Sequence, residues 1–338
     1  MQGKRVLLAR MFAKSGLTLA LESLLRRKTL LVLNYHRVGN PADTPYDPGT
    51  FGPTAEEFDW QLGYLRSHFD CITLEEALAM AAGQITLRPS LLLTFDDGYL
   101  DNYQVAYPLL RSHGLQAVFF LPTDFIGTQR LPWWDVIAYI LKHSRHQIIK
   151  VQHPKPAEFR IADGDVSSTI FQVLTHCINN ATTDYAPLIN DLETACGCQR
   201  PDQSAARCFM NWDEAREMQS GGGMAFGSHT HSHEILSGLS AERQTLELSR
   251  SRAILEHELG RTIDVLSYPV GLPYTFNTDT LAAVERTGYR AAFSFYGGAN
   301  NGHRVNRFDI RREHPHAGTS DLFRLQTILA AAGKRLAA

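Results

Sequence analysis

An excess of basic charge is the first thing this sequence lacks. Its 33 lysines and arginines stand against 35 aspartates and glutamates, for a formal net charge of -2 over 338 residues. Without a basic stripe to neutralise phosphates, a nucleic-acid partner has no electrostatic footing. Cysteine is scarce too: Cys71, Cys177, Cys196, Cys198 and Cys208 are scattered, and only Cys196-Gly-Cys198 is close-spaced. With no second close pair they suggest neither a zinc cluster nor a disulfide framework, and read as thiols of a reducing compartment. No apolar run reaches the roughly 20 residues that a bilayer-spanning helix requires. The N-terminal runs are broken by Arg10, Lys14 and Glu22, and neither the uninterrupted core nor the small-residue cleavage site of a signal peptide stands out. Repeats, low-complexity tracts and an interdomain linker are likewise missing.

What remains is an ordinary globular composition, 44% hydrophobic and 20% charged, enough for one large α/β domain. Residues 1–28 read as an amphipathic helix with basic residues at intervals. Such a helix either packs on the domain or lies on an anionic inner membrane face. The expectation is a cytoplasmic protein with peripheral membrane association as the sharper alternative.

From residue 29 the chain alternates. Buried strands are expected at Thr29–Leu33, Ser90–Phe95 and Ala117–Leu121, with helices at Thr54–His68, Thr73–Ala82 and Asn102–His113 between and after them. Both of the first two helices open on Thr with Glu three residues later, a capping-box signature. The alternation breaks over about 128–210, where helical stretches (Trp133–Leu141, Ser167–Asn179, Tyr185–Cys196) suggest a mostly helical insertion. It resumes with Trp212–Ser220, Met224–Gly227, Ser240–Leu259, Asp264–Tyr268, Asp279–Thr287, Ala291–Phe295 and a last helix over Leu322–Leu336. Strands separated by helices imply right-handed βαβ units and a parallel sheet or barrel.

Two strand ends carry chemistry. Thr94-Phe95-Asp96-Asp97-Gly98-Tyr99 places adjacent carboxylates where a buried strand stops. Neighbouring strand residues point in different directions, so one can ligate a metal while the other handles a proton. Gly227-Ser228-His229-Thr230-His231-Ser232-His233 follows another strand. His229 and His233 stand four residues apart, a spacing that on a helical turn shares one face and one ion. Thr230 and Ser232 have hydroxyls able to orient them, and His231 should point away.

TFDDGY followed by HTHSH resembles the first two motifs of the polysaccharide deacetylases, the NodB-type carbohydrate esterases, and Tyr35-His36 resembles their exopolysaccharide-modifying branch. The resemblance covers roughly residues 29–315 apart from the insertion. It implies a distorted (β/α)7-type barrel and metal-dependent removal of N-acetyl groups from an amino-sugar glycan or its precursor. It also implies Asp97, His229 and His233 as ligands of one divalent metal, Zn2+ foremost with Co2+ or Ni2+ as substitutes, and Asp96 as general base. The backbone N–H of Tyr99 would serve the oxyanion. Such a metal polarises the acyl carbonyl and acidifies water, while Asp96 accepts its proton.

Later motifs depart from the family pattern. Tyr268-Pro269-Val270-Gly271 lacks the arginine that often orients the base, a charge Arg311 or Arg312 would have to supply. No leucine–histidine motif provides the acid; His314 and His316 lie in a loop, and His36 is the preferred candidate. Tyr99, Trp133, Trp134, Tyr268, Pro269 and Arg312 are expected to line the substrate site, the aromatics as platforms for sugar rings. The alternatives are hydrolysis of another acyl group, a formyl or non-sugar amide, and a non-catalytic glycan-binding module with a residual metal site.

Overall fold

Apolar runs too long to leave one face in water dictate the architecture. The computed structural model describes residues 2–22, 29–162, 164–202, 207–298, 300–301, 305–315 and 318–334. Its strands are β1 (Thr29–Tyr35), β2 (Asp70–Cys71), β3 (Ser90–Asp96), β4 (Val118–Leu121), β5 (Ile148–Val151), β6 (Ala157–Arg160), β7 (Ala225–Ser228), β8 (Val265–Ser267), β9 (Ala291–Ser294), β10 (Asn300–Asn301) and β11 (Ile310–Arg311). Every residue of β1, β3 and β4 is buried, as in parallel strands covered on both sides.

The helices are α1 (Gln2–Lys14), α2 (Leu17–Glu22), α3 (Ala55–His68), α4 (Leu74–Ala81), α5 (Tyr107–Ser112), α6 (Trp133–Lys142), α7 (Val166–Asn179), α8 (Ala186–Cys196), α9 (Trp212–Gly222), α10 (Ala241–Leu259), α11 (Thr278–Arg286) and α12 (Ser320–Ala331). Thr54–Glu57 and Thr73–Glu76 form the capping boxes that start α3 and α4. A π-helical turn, Asn102–Ala106, precedes α5.

β1, β3, β4, β7, β8, β9 and β11 pair in that order, all in parallel. The remaining gap is bridged just beyond β11, where Asn34 N donates to Glu313 O at 2.9 Å and Glu313 N donates to Val32 O at 2.8 Å. The result is the nearly closed (β/α)7-type barrel that the motifs imply, with all strand C-termini at one end. Gly227 shows how tightly the sheet curls: a Cβ there would meet Phe120 Cε1 at 2.5 Å and Val265 Cγ2 at 2.8 Å.

Two expectations are corrected. The 128–210 insertion is not purely helical: β5 and β6 pair antiparallel, each too short for a period of two to be read. Around them, Ile137, Ile140, Ile149, Val173, Leu188 and Leu192 form a separate core. The N-terminal stretch is two helices rather than one, broken at Gly16, whose φ of 74° is left-handed. Residues 23–28, 316 and 335–338, with His316 and the end of the expected last helix, lie outside the described residues.

Candidate active site

The C-terminal ends of five strands, β1, β3, β7, β8 and β11, deliver the site, the end where parallel barrels gather their chemistry. β3 ends on Asp96, and Asp97 and Gly98 then turn left-handed, with φ of 73° and 71°. For Asp97, a non-glycine residue, that conformation is sparsely populated and characteristic of functional turns. β7 ends at Ser228 and the histidine segment follows as a loop, not as the helical turn that the four-residue spacing suggested. Thr230 and His233 adopt φ of 65° and 58°, and this loop curls the two imidazoles to 4.6 Å between ring centroids.

Asp97, His229 and His233 converge, each offering one ligand atom, all within 4.8 Å of one another. His229 Nδ1 donates to the Ser267 carbonyl at 2.8 Å. That bond fixes the tautomer and leaves the Nε2 lone pair facing Asp97. Asp97 Oδ1 stands 3.6 Å from His229 Nε2 and 3.5 Å from His233 Nε2, too far for hydrogen bonds. It is buried and has no hydrogen-bond partner among the described residues. A buried carboxylate oxygen without a donor is costly, and two imidazoles beside it complete the donor set of a divalent cation, whose bonds to each run about 2.0–2.2 Å. The residues fit a metal.

The electrostatics agree. Burial first, then the charges of Asp96 and Asp135, push the Asp97 carboxyl well above its ordinary range. Burial lowers His229, and burial with His229 nearby lowers His233 further, so both imidazoles are neutral, the ligating form.

Asp96 is arranged differently. Arg312 grips it in a bidentate pair, Nη1 to Oδ1 and Nη2 to Oδ2, both 2.8 Å. Asn34 Nδ2 donates to Oδ2 at 2.9 Å and Ser267 Oγ at 3.3 Å. Burial alone would raise this carboxyl, but the Arg312 charge, with His229 close by, holds it far below the usual range. One member of the Asp-Asp pair is therefore a locked anion, and the other a carboxyl whose negative charge nothing beside it compensates. His36 Nε2 lies 4.0 Å from Asp96 Oδ2; burial lowers its pKa to about 4 against the pull of Asp96. His231 turns away, Nδ1 to Thr123 Oγ1 at 2.8 Å. Thr230 Oγ1 accepts from His233 N at 3.1 Å, which ties the loop. Ser232 contributes through its backbone, N donating to Glu247 Oε2 at 2.8 Å.

Arg312, not Arg311, supplies the charge missing from the third motif, and this corrects its expected place in the substrate site. Its side chain is 0% exposed and also bonds Asn34 Oδ1, Ser294 O and Ser267 Oγ, so nothing of it is left for a sugar. Tyr99, Trp134, Tyr268 and Pro269 are corrected too, because their side chains are buried. Tyr268 Oη donates to Phe308 O at 3.0 Å. Tyr99 Oη donates to Asp135 Oδ2 at 2.9 Å and accepts from Trp134 Nε1 at 2.7 Å, and the Trp134 ring lies 4.5 Å from His233. Trp134, held by Tyr99, thus packs against the histidine loop. Trp133 is partly buried, stacked on Tyr185 at 4.3 Å, and lines a cavity of about 250 Å³ with Phe125, Ser232 and Glu234. His314 is exposed, 6.2 Å from the Phe295 ring.

Sequence reasoning missed Asn34, Ser267 and Asp135. The first two had a signal, a polar residue closing an apolar strand. Asp135 had none beyond being an acid in an apolar helix; burial raises it to about 7.

Fold and geometry define a class, an α/β barrel with an Asp-His-His donor set beside a second, ionised carboxylate. The family model for polysaccharide deacetylase matches residues 83–292, more than half of the chain, and the chain belongs to the polysaccharide deacetylase family. The chain is 23% identical over 274 residues to YxkH of Bacillus subtilis (strain 168), a protein provisionally named a polysaccharide deacetylase, covering 80% of this chain and 66% of that protein. It thus spans just under two thirds of that relative's length. Among solved structures it is similar to the Streptococcus pyogenes deacetylase PplD in complex with acetate (18% identity, TM-score 0.57, covering 89% of this chain and 98% of that one). It is also similar to a de-N-acetylase from Aggregatibacter actinomycetemcomitans (17% identity, TM-score 0.54, covering 89% and 99%). At these identities the likeness establishes the shared fold.

Proposed function

We propose that this carbohydrate deacetylase is a metal-dependent hydrolase that removes N-acetyl groups from an amino-sugar-containing glycan. The observation that carries the reading is the orphaned Asp97 Oδ1 between two neutral imidazoles, with ionised Asp96 beside them. Asp97, His229 and His233 would hold the cation, and two imidazoles with one carboxylate suit Zn2+ or a similar first-row ion. Bound there, a divalent ion supplies Lewis acidity toward an acyl oxygen and lowers the pKa of water.

The remaining work falls to side chains of this protein. Asp96, kept ionised and oriented by Arg312, accepts the proton of the attacking water at a carboxylate oxygen. Its weak basicity would suit a water whose pKa a bound cation lowers. To His36, neutral at rest and 4.0 Å from Asp96, we assign the relay of the proton that Asp96 takes from the water to the leaving amine. Trp133 and the cavity it lines beside the histidine loop are assigned to a sugar ring. The N-linked acyl group is supported by the relative described as a de-N-acetylase.

The test is acetate release from N-acetylglucosamine oligomers by protein loaded with Zn2+, Co2+ or Ni2+, alongside Asp96→Asn. Metal-dependent release that Asp96→Asn abolishes is the expected result. Release unaffected by chelation refutes the metal role, and release of formate rather than acetate from a substrate panel refutes the acyl group.

A further inference from the structure

Two N-terminal helices present a surface that the deacetylase reading does not use. One side of α1 is spent on the domain: Val6, Ala9 and Phe12 pack with Leu322 and Leu325 of α12. α2 is tied down at its end, where the Glu22 carboxylate accepts from Arg324 Nε at 2.8 Å, Arg324 Nη2 at 2.9 Å and Tyr64 Oη at 2.9 Å. A surface helix anchored on one side is expected to show water a polar opposite face.

Here the opposite side of α1 is apolar again, and α2 adds two exposed leucines. Leu7 is 61% exposed, Leu8 37%, Met11 59%, Leu17 42% and Leu19 65%. The other exposed large apolar residues among the described residues are spread from Trp60 to Leu281, whereas these five fall within one short stretch. Lys4, Arg10 and Lys14 are exposed among them. Positions 4, 7, 8, 11 and 14 recur at helical spacing and share one side of α1. No acidic residue precedes Glu22, so this face is uniformly cationic in a chain whose net charge is negative.

Leucines and a methionine ringed by cations on long aliphatic stems match one kind of surface. The apolar side chains enter the boundary between headgroups and acyl chains, while the cations stay level with phosphates. We infer that α1 and α2 dock the protein on an anionic lipid bilayer. A second copy of the chain is a poorer occupant, because a two-fold contact sets the same patch against itself and would bring Lys4, Arg10 and Lys14 of one copy toward those of the other. No described helix is long and apolar enough to cross a membrane; the contact inferred is with the bilayer surface.

The test is co-sedimentation of the full chain with vesicles of phosphatidylcholine alone and of phosphatidylcholine mixed with phosphatidylglycerol. Binding is expected to the anionic vesicles and to weaken with salt. Each cation contributes about fivefold, so Lys4→Ala/Arg10→Ala/Lys14→Ala together should lower partitioning on the order of a hundredfold. Leu7→Glu/Met11→Glu/Leu19→Glu should abolish it, with thermal unfolding unchanged. Equal sedimentation with both vesicle types, or binding that ignores both sets of substitutions, overturns the inference. So does self-association that the glutamate substitutions abolish in a protein that does not bind vesicles, which would give the face to a second copy. None of these outcomes depends on the deacetylase assay.

Discussion

Replacing Arg312 by Met is the perturbation whose consequence the structure states most sharply. The guanidinium provides two of the four hydrogen bonds to Asp96, and further bonds to Asn34, Ser267 and Ser294. Met fills similar volume but leaves a carboxylate buried at 3% side-chain exposure without its counter-charge. Breaking one partner of a buried pair costs about 3–5 kcal/mol. The protein can absorb that cost as lost stability or by protonating Asp96, at about 1.4 kcal/mol per pKa unit regained; the second route removes the ionised carboxylate, and the first leaves it without the fork that orients it. Arg312→Lys keeps the charge but not the fork, and should fall between. Asp96→Asn/Arg312→Met should be more stable than Arg312→Met alone, since no uncompensated anion remains. Guanidinium unfolding with m-values and acetate release measure both effects. Arg312→Met within about 1 kcal/mol of the parent, with undiminished release, would refute the argument.

Other expectations follow from particular contacts. Asp97→Asn should lose bound metal by elemental analysis, and zinc at a hundredfold over its dissociation constant should stabilise only the parent, by about 2.7 kcal/mol; equal stabilisation of both would place the ion elsewhere. Gly227→Ala forces a Cβ against Phe120 and Val265 and should cost about 1–3 kcal/mol by overpacking, read from denaturant midpoints. Burial pushes the Glu22 carboxyl up, but Arg324 and Tyr64 outweigh it and leave its pKa below the ordinary 4.5. A depressed carboxyl contributes stability that is present above 4.5 and lost as pH falls through the folded value. The stability gap between the parent and Glu22→Gln should therefore be constant near neutrality and close as pH drops below 4.5; a gap that persists or widens in acid contradicts it.

The barrel and the cluster of Asp97, His229 and His233 were legible because each motif is contiguous and sits where an apolar run stops. What surrounds them was not. Asn34, Asp96, Ser267 and Arg312 form one network across 278 residues of chain, and nothing local in sequence marks such a set. Choosing between Arg311 and Arg312 required the register of β11, whose two residues are too few to show an alternation. The His229–His233 spacing pointed to a real partnership for the wrong reason, since left-handed loop residues rather than a helical face bring the rings together. Tyr99, Trp134 and Tyr268 were read as sugar platforms because aromatics at strand ends fit that role. Their polar atoms instead meet Asp135, Tyr99 and the Phe308 carbonyl, and a buried hydroxyl or indole seeking a partner looks, in sequence, like one awaiting a ligand.

Arg312 is also synthesised long after the carboxylate it holds. Asp96 emerges more than two hundred residues earlier and, until β11 docks, a folding chain that buries it would enclose a bare anion. The nascent polypeptide therefore gains little by closing the barrel before its last strand is available. Closure of the barrel and fixing of Asp96 arrive as one event, and a product clipped ahead of Arg312 keeps Asp97, His229 and His233 yet loses both the Glu313 link that closes the barrel and the guanidinium that holds Asp96.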